Sequence, residues 1–325
     1  MRLLFGAATL LLLMASASSA FAARGVNFLV IDNDAVVGTD SQYTAGIRFS
    51  QTRVAGARSL MPRPVERFAS TLLPGEGTAS QGLFLAQYIF TPQDKNKIDL
   101  GSEDRPYAGW LGGGIWLREA TSAGSGALGL SLGLVGPSSL AEAAQDTVHE
   151  LIGSDKYVWS EALKDEPTVN LHYRIRRGVA QPELPLGINA DAHLEGGLDV
   201  GTVKTQALAR VLLRIGSFSP VYHFPAERFG PGPEMLNGPD PSGPQIAFQV
   251  GVEGRAVAHD IFLDGNVFHD SHSVDRKPWV GSLVAGIDLR WDSLEIRYNM
   301  VFNTRQYEGQ EGGHDFGSLV AAWWF

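Results

Sequence analysis

Residues 316–325 read Phe-Gly-Ser-Leu-Val-Ala-Ala-Trp-Trp-Phe, and in an extended chain Leu319, Ala321, Trp323 and Phe325 share one face. Side chains alternate across a strand, so this face is apolar along its length and closes on aromatic rings. A strand crossing a bilayer has that pattern, apolar toward lipid and aromatic at the interface. A terminal strand docked in a soluble core shows the same alternation. The start of the chain favours the first reading: Arg2, an apolar run through Leu10 to Met14, and Ala20-Phe21-Ala22 as a small-x-small cleavage site describe an export signal over residues 1–22. The mature chain then covers 23–325 as one domain.

Loss of the signal removes Arg2 and no acid, so the net charge goes from -9 to -10. An acidic chain has no electrostatic attraction to nucleic acid. The 325 residues include no cysteine, which excludes a disulfide framework and leaves oxygen and histidine as metal ligands. Beyond the signal no stretch approaches the roughly 20 apolar residues of a membrane helix. The 38 glycines and seven tryptophans accompany repeated dyad alternation, as in antiparallel strands joined by tight turns.

Alternation predicts strands near 26–33, 43–53, 82–91, 107–119, 125–135, 167–177, 189–199, 206–214, 245–258, 279–291, 293–303 and 316–325. Twelve is an even number, as a single-chain bacterial barrel requires. The expected fold is all-β, a single antiparallel transmembrane β-barrel of about 12 strands, monomeric and in the bacterial outer membrane. Connections 54–81, 92–106, 136–166 and 215–244 are long, while Trp291-Asp292-Ser293 is a short turn, which suggests long loops at one end and short turns at the other. Pro225 to Pro244, with six prolines, reads as a loop over the barrel mouth.

Within 136–166 the β-pattern stops. Gly136-Pro137 ends a strand, Ser139 and Glu142 form a capping box, and Gly153 is placed to end a helix over 139–152 on the outer side. Ala141, Ala144, Gln145, Val148, His149 and Ile152 fall on one stripe of it, with Glu142, Asp146 and Glu150 elsewhere. Gln145 lies one turn before His149 and can orient it. Spacing alone favours a core histidine satisfied by a carbonyl, because a lone histidine carries little information.

A second polar group stands at a strand end, where Asp34, Asp40, Tyr43 and Thr44 fall within eleven residues and offer oxygens to a hard cation or a water.

Several ordered elements together resemble the LpxR family of outer-membrane lipid A 3'-O-deacylases. They are Asn33-Asp34, Tyr43-Thr44-Ala45-Gly46, Thr91-Pro92 with Asn96-Lys97, Asp104-Arg105 before Tyr107, Gln145-x-x-x-His149-x-x-Ile152-Gly153, and Lys156-Tyr157. The resemblance implies a twelve-stranded barrel acting on lipid A of lipopolysaccharide in the outer leaflet, by calcium-assisted ester hydrolysis like that of secreted phospholipase A2. It implies His149 as general base, Gln145 orienting ring or water, Asp34 holding Ca²⁺, Asn33 and Thr44 completing the oxygen site, and Lys97 on the oxyanion or a lipid A phosphate. Lys95 lies two residues from Lys97, and nine residues separate Asp34 from Thr44.

Two other functions fit the same scaffold: a non-catalytic barrel or channel, and a phospholipase using the same site. His269-Asp270-Ser271 has the His-x-Ser spacing of the smaller deacylase PagL, yet sits in a Gly/Asp/Ser-rich stretch after a strand. Asp104-Arg105 reads as an ion pair and turn at a strand start.

Overall fold

A computed structural model describes residues 25–325 apart from 35–41, 55–62, 74–76, 96, 98, 122, 183, 186–187, 218–220 and 236–242. The export signal expected at 1–22, with Asp40 and Asn96, lies outside the described residues.

Twelve long strands close an antiparallel barrel. They are β1 (Gly25–Asn33), β2 (Gln42–Val54), β3 (Thr78–Thr91), β4 (Ala108–Ala120), β5 (Gly124–Val135), β6 (Glu166–Ala180), β7 (Asn189–Gly201), β8 (Lys204–Gly216), β11 (Gln245–Asp260), β12 (Trp279–Trp291), β13 (Leu294–Asn303) and β14 (His314–Trp324). Each pairs with its neighbour in sequence, β8 pairs with β11, and β14 closes on β1 with Val26 opposite Trp324. The short β9 (Val221–Tyr222) and β10 (Glu234–Met235) pair only with each other. Asp292, at φ 53°, makes the two-residue turn between β12 and β13.

The strands are polar inside and apolar outside. On β6, Glu166, Thr168, Asn170, His172, Arg174 and Arg176 are buried, whereas Val169, Leu171 and Ile175 are exposed. On β11 the buried set includes Gln249, Glu253 and Arg255 and the exposed set Ile246, Phe248, Val250 and Val252. A soluble sandwich turns its apolar face inward; this inversion needs lipid as the outer solvent.

Direction reverses at every strand, so connections after β1, β3, β5, β7, β11 and β13 open at one mouth. The others share the second mouth with both ends of the barrel. The long connections expected at 92–106 and 136–166 lie at the first mouth, but those at 54–81 and 215–244 follow even-numbered barrel strands and lie at the second. The expected one-sided asymmetry is therefore corrected by strand parity alone.

From that second mouth, residues 221–235 of the connection between β8 and β11 enter the lumen. Glu234 takes Arg176 Nη2 at 2.6 Å and Arg118 Nη1 at 2.9 Å, and Glu227 pairs with Arg174 and Arg210. Farther in, the Arg228 carbonyl accepts Arg48 Nη1 at 2.6 Å and Tyr88 Oη at 2.5 Å, and its guanidinium stands 3.7 Å from Asp32 and 3.9 Å from the Tyr43 ring centroid. Buried barrel arginines are neutralised by acids of the plug together with Asp199, Glu195 and Glu253 of the wall, as buried charge requires.

Three helices decorate the described barrel: α1 (Arg63–Thr71), α2 (Ala141–Ile152) and α3 (Ile261–Asp264). Only α2 was expected. Ala69 of α1, with Leu73, covers outward-facing Leu117. Phe262 of α3 stacks on Phe90 at 4.1 Å and roofs the lumen at the first mouth.

Candidate active site

Helix α2 lies against the outer wall of the barrel. Trp110 and Ala108 face the lumen, so Gly109 between them faces out. A Cβ at Gly109 would stand 2.2 Å from both Ala141 Cβ and Ser139 Oγ, so glycine is what lets the helix start touch the sheet. Gln87, also outward, donates to the Ser139 carbonyl at 2.7 Å.

The expected capping box is absent. A 3₁₀ turn over Pro137–Ser139 intervenes, Leu140 takes the cap position, and the Ser139 hydroxyl donates back to the Gly136 carbonyl at 2.5 Å. Gly153 ends the helix as expected, at φ 72°.

Ala141, Gln145 and His149 are buried against the wall, while Val148, expected on that stripe, is 53% exposed and Leu151 is 64% exposed. Those apolar groups face the medium that also bathes Leu132 and Leu134 of β5. The helix thus buries Gln145 and His149 and exposes Val148 and Leu151 together with Glu142 and Glu150.

His149 Nδ1 lies 2.5 Å from the carbonyl of Asp155. A carbonyl only accepts, so Nδ1 carries the hydrogen and Nε2 of the neutral ring carries the lone pair. Gln145 Oε1 accepts Trp159 Nε1 at 2.8 Å.

The strand-end group assembles where β1 meets β2. Tyr43 opposes Phe90 and Ala45 opposes Ile89, so Thr44 is the extra residue of a β-bulge. Bulges re-aim a side chain, and here the Thr44 hydroxyl meets Thr91 Oγ1 at 2.7 Å. The Thr44 carbonyl accepts the Asp34 N–H at 3.3 Å and Asn33 Nδ2 at 3.4 Å. Asp34 is fully buried and Asn33 half-buried.

Four residues after Thr91 comes Lys95, a span of at most ~14 Å of chain. Lys95 is buried with Nζ 4.8 Å from the Tyr157 ring centroid, and the same phenol meets His149 edge-on at 5.5 Å. Lys97 is exposed, its carbonyl accepts the Ser160 hydroxyl, and its N–H donates to the Asp94 carbonyl. Asn33, Asp34 and Thr44 therefore meet on β1 and β2, Gln145 and His149 meet on α2, and Lys95 stands by the second group.

Sequence reasoning passed over Trp159, the Asp155 carbonyl and the bulge at Thr44. An aromatic-rich stretch directly after a helix with a buried face was the available signal.

Asp104 and Arg105 work separately. The Asp104 carboxylate accepts the N–H groups of Gln93 and Asp94 at 3.0 and 3.1 Å and the Tyr307 hydroxyl at 2.9 Å, which shapes the turn before Lys95. Burial, with the Asp104 charge, pushes the Tyr307 phenol up and keeps it a donor. Arg105 Nη2 donates to the Phe262 carbonyl at 3.1 Å.

For a hard cation, Asp34 offers a carboxylate and Asn33 and Thr44 offer neutral oxygens, a donor set suited to calcium with water completing the shell. Among the described residues no cluster of three or more His, Cys, Asp or Glu competes for a metal.

His269 is exposed and Ser271 Oγ accepts the Asn266 N–H at 2.8 Å, so that pair forms no catalytic dyad. In the lumen, Ser131 Oγ lies 2.9 Å from His172 Nε2, and His172 Nδ1 lies 2.7 Å from Asp199. The three have triad order, but all are buried in the lumen, and Asp199 is also engaged by Arg174.

Over residues 3–325 the sequence matches the family described as outer membrane protein LpxR. The chain belongs to the LpxR family. Structurally it is similar to LpxR from Salmonella typhimurium, with a TM-score of 0.73 at 17% identity over 92% of this chain and 100% of that one. The beta domain of the Bordetella autotransporter BrkA gives a TM-score of 0.45 at 11% identity over 93% of this chain and 99% of that one. No curated protein matches the sequence. As an LpxR-family member the protein is an outer-membrane lipid A deacylase, an ester hydrolase.

Proposed function

We propose that the chain hydrolyses the ester of the 3'-acyloxyacyl group of lipid A in the outer leaflet, with His149 as general base and calcium held at Asp34. One observation carries the reading. The carbonyl of Asp155 fixes the His149 tautomer, so Nε2 is a proton acceptor on a helix that stands between the barrel wall and lipid.

In this scheme Nε2 takes a proton from water as the water oxygen attacks the acyl carbonyl. The tetrahedral intermediate then expels the sugar oxygen, which receives the same proton from Nε2. The products are a free fatty acid and a sugar hydroxyl. Bound calcium would polarise the ester carbonyl. Asp34 holds the ion, and Asn33 and Thr44 contribute oxygens. The lysine role falls to Lys95, buried beside Tyr157, in place of exposed Lys97. Its ammonium balances negative charge on the oxyanion or a phosphate.

The channel alternative loses support because the lumen is filled by the segment carrying Glu227, Arg228 and Glu234. A phospholipase uses the same base and metal. Expression in a Gram-negative host with mass spectrometry of lipid A separates these. The expected result is loss of an acyloxyacyl unit, abolished by His149→Ala and by a calcium chelator. Unchanged lipid A with folded barrel in the membrane overturns the reading, and cleavage of glycerophospholipid by the purified protein would reassign its substrate.

A further inference from the structure

We infer that Trp159 is a positioning residue that turns the Gln145 amide into an oxyanion donor. The inference rests on the ester-hydrolase reading and adds a specific role to it.

An indole N–H only donates, so the Gln145 atom 2.8 Å from Trp159 Nε1 is the amide oxygen. The amide nitrogen therefore faces the other way. Gln145 is 5% exposed, and its Nε2 has no hydrogen-bond partner among the described residues. Buried donors are almost always satisfied, and an exception marks a place for a ligand atom. The two hydrogens of Nε2 suit an acceptor that gains negative charge, such as an ester carbonyl oxygen becoming an oxyanion.

The geometry also removes the alternative role of orienting the imidazole. His149 Nδ1 is already held by Asp155, and Gln145 Oε1 is already engaged by Trp159. Residues one helical turn apart share a face, so the Gln145 donor and the His149 base address neighbouring points. Trp159 itself is fixed by stacking on buried Tyr107, centroids 5.2 Å apart at 28°. The Tyr107 hydroxyl donates to the Lys95 carbonyl at 3.2 Å, so one phenol braces both the indole and the segment that carries the lysine.

The test uses full-length protein refolded in detergent, with hexa-acylated lipid A in mixed micelles and calcium present. Heat-modifiable migration on gels checks that each barrel is closed. Trp159→Phe keeps the ring stack and removes the donor. It is expected to lower kcat about tenfold or more with KM within about twofold, because misplacing a catalytic group by about 1 Å costs up to 10²-fold. Gln145→Glu keeps an acceptor for Trp159 without the NH₂ and is expected to lose as much as Gln145→Ala. Adding Trp159→Phe to Gln145→Ala should cost nothing further.

Unchanged kcat in Trp159→Phe, multiplying losses in the double variant, or wild-type turnover by Gln145→Glu would each overturn the inference. Should Trp159→Phe fail to close, Gln145→Glu decides. Active wild type with dead His149→Ala and unaffected Trp159→Phe refutes the Trp159 role alone. Inactive wild type refutes the deacylase reading together with it.

Discussion

His149 is hydrogen-bonded through Nδ1 to the main-chain carbonyl of Asp155, six residues on, at 2.5 Å. A backbone carbonyl cannot be mutated away or change its charge, so the loop after α2 holds the imidazole in a single tautomer. His149→Ala should lower kcat by about 10²–10⁴, the usual contribution of a general base, with substrate binding retained. Steady-state assays on purified lipid A measure it, and retained turnover would remove His149 from the mechanism.

The seating of α2 depends on Gly109. A valine there meets Ala141 and Ser139, which pushes the helix off the wall at a stability cost of about 1–3 kcal/mol. The barrel should still close on a cold gel while activity drops up to ~10²-fold from displacement of the base. Full activity in Gly109→Val would show that α2 need not touch β4.

Calcium dependence should follow Asp34. Asp34→Asn removes the carboxylate among the proposed ligands and should shift the calcium concentration for half-maximal activity upward by tenfold or more. Isothermal titration calorimetry on the refolded barrel checks the same shift without turnover. Equal calcium binding by wild type and Asp34→Asn would place the ion elsewhere.

The two lysines of the β3–β4 connection should separate. Lys95→Met is expected to cost about 10–10³-fold in kcat, the range for a group that stabilises a developing oxyanion. Lys97→Met should cost far less, since its side chain is exposed. A reversed ranking would return the role to Lys97.

Glu227 links the plug to Arg174 and Arg210. Glu227→Gln removes the acid shared by both arginines, while Arg174 keeps Asp199 and Arg210 keeps Glu195 and Glu253; it should destabilise the barrel by about 1–3 kcal/mol, read as a lower unfolding midpoint in denaturant. In planar bilayers the wild type should conduct little, and replacing residues 223–233 with a short Gly-Ser linker should raise conductance. High conductance in the wild type would mean that the plug leaves the lumen.

The barrel was legible in the sequence because a membrane strand carries its solvent preference in every second residue, so all twelve ranges fell close to the observed strands. The helix at 141–152 was legible from the stripe and from Gly153. Its outer face was misread at Val148, because an apolar side chain on a membrane protein can face lipid as readily as a core. The mouth of each loop needed only strand parity, yet the entry of 221–235 into the lumen did not follow from the prolines of that stretch. Its acids answer arginines on β4, β6 and β8, a match between distant segments that no local pattern contains. Asn33, Asp34 and Thr44 could be grouped from sequence, but the bulge that turns Thr44 toward Thr91 depends on the pairing of β2 with β3. The part played by Trp159 was hidden for the same reason.

With the proposed site on the outside of a wall whose lumen is occupied by residues 221–235, substrate would reach it by drifting sideways within the leaflet. Throughput then scales with the surface density of lipid around each copy and with how fluid that lipid is. A cell that added copies would remodel its envelope faster, and a plugged lumen would add no open pore.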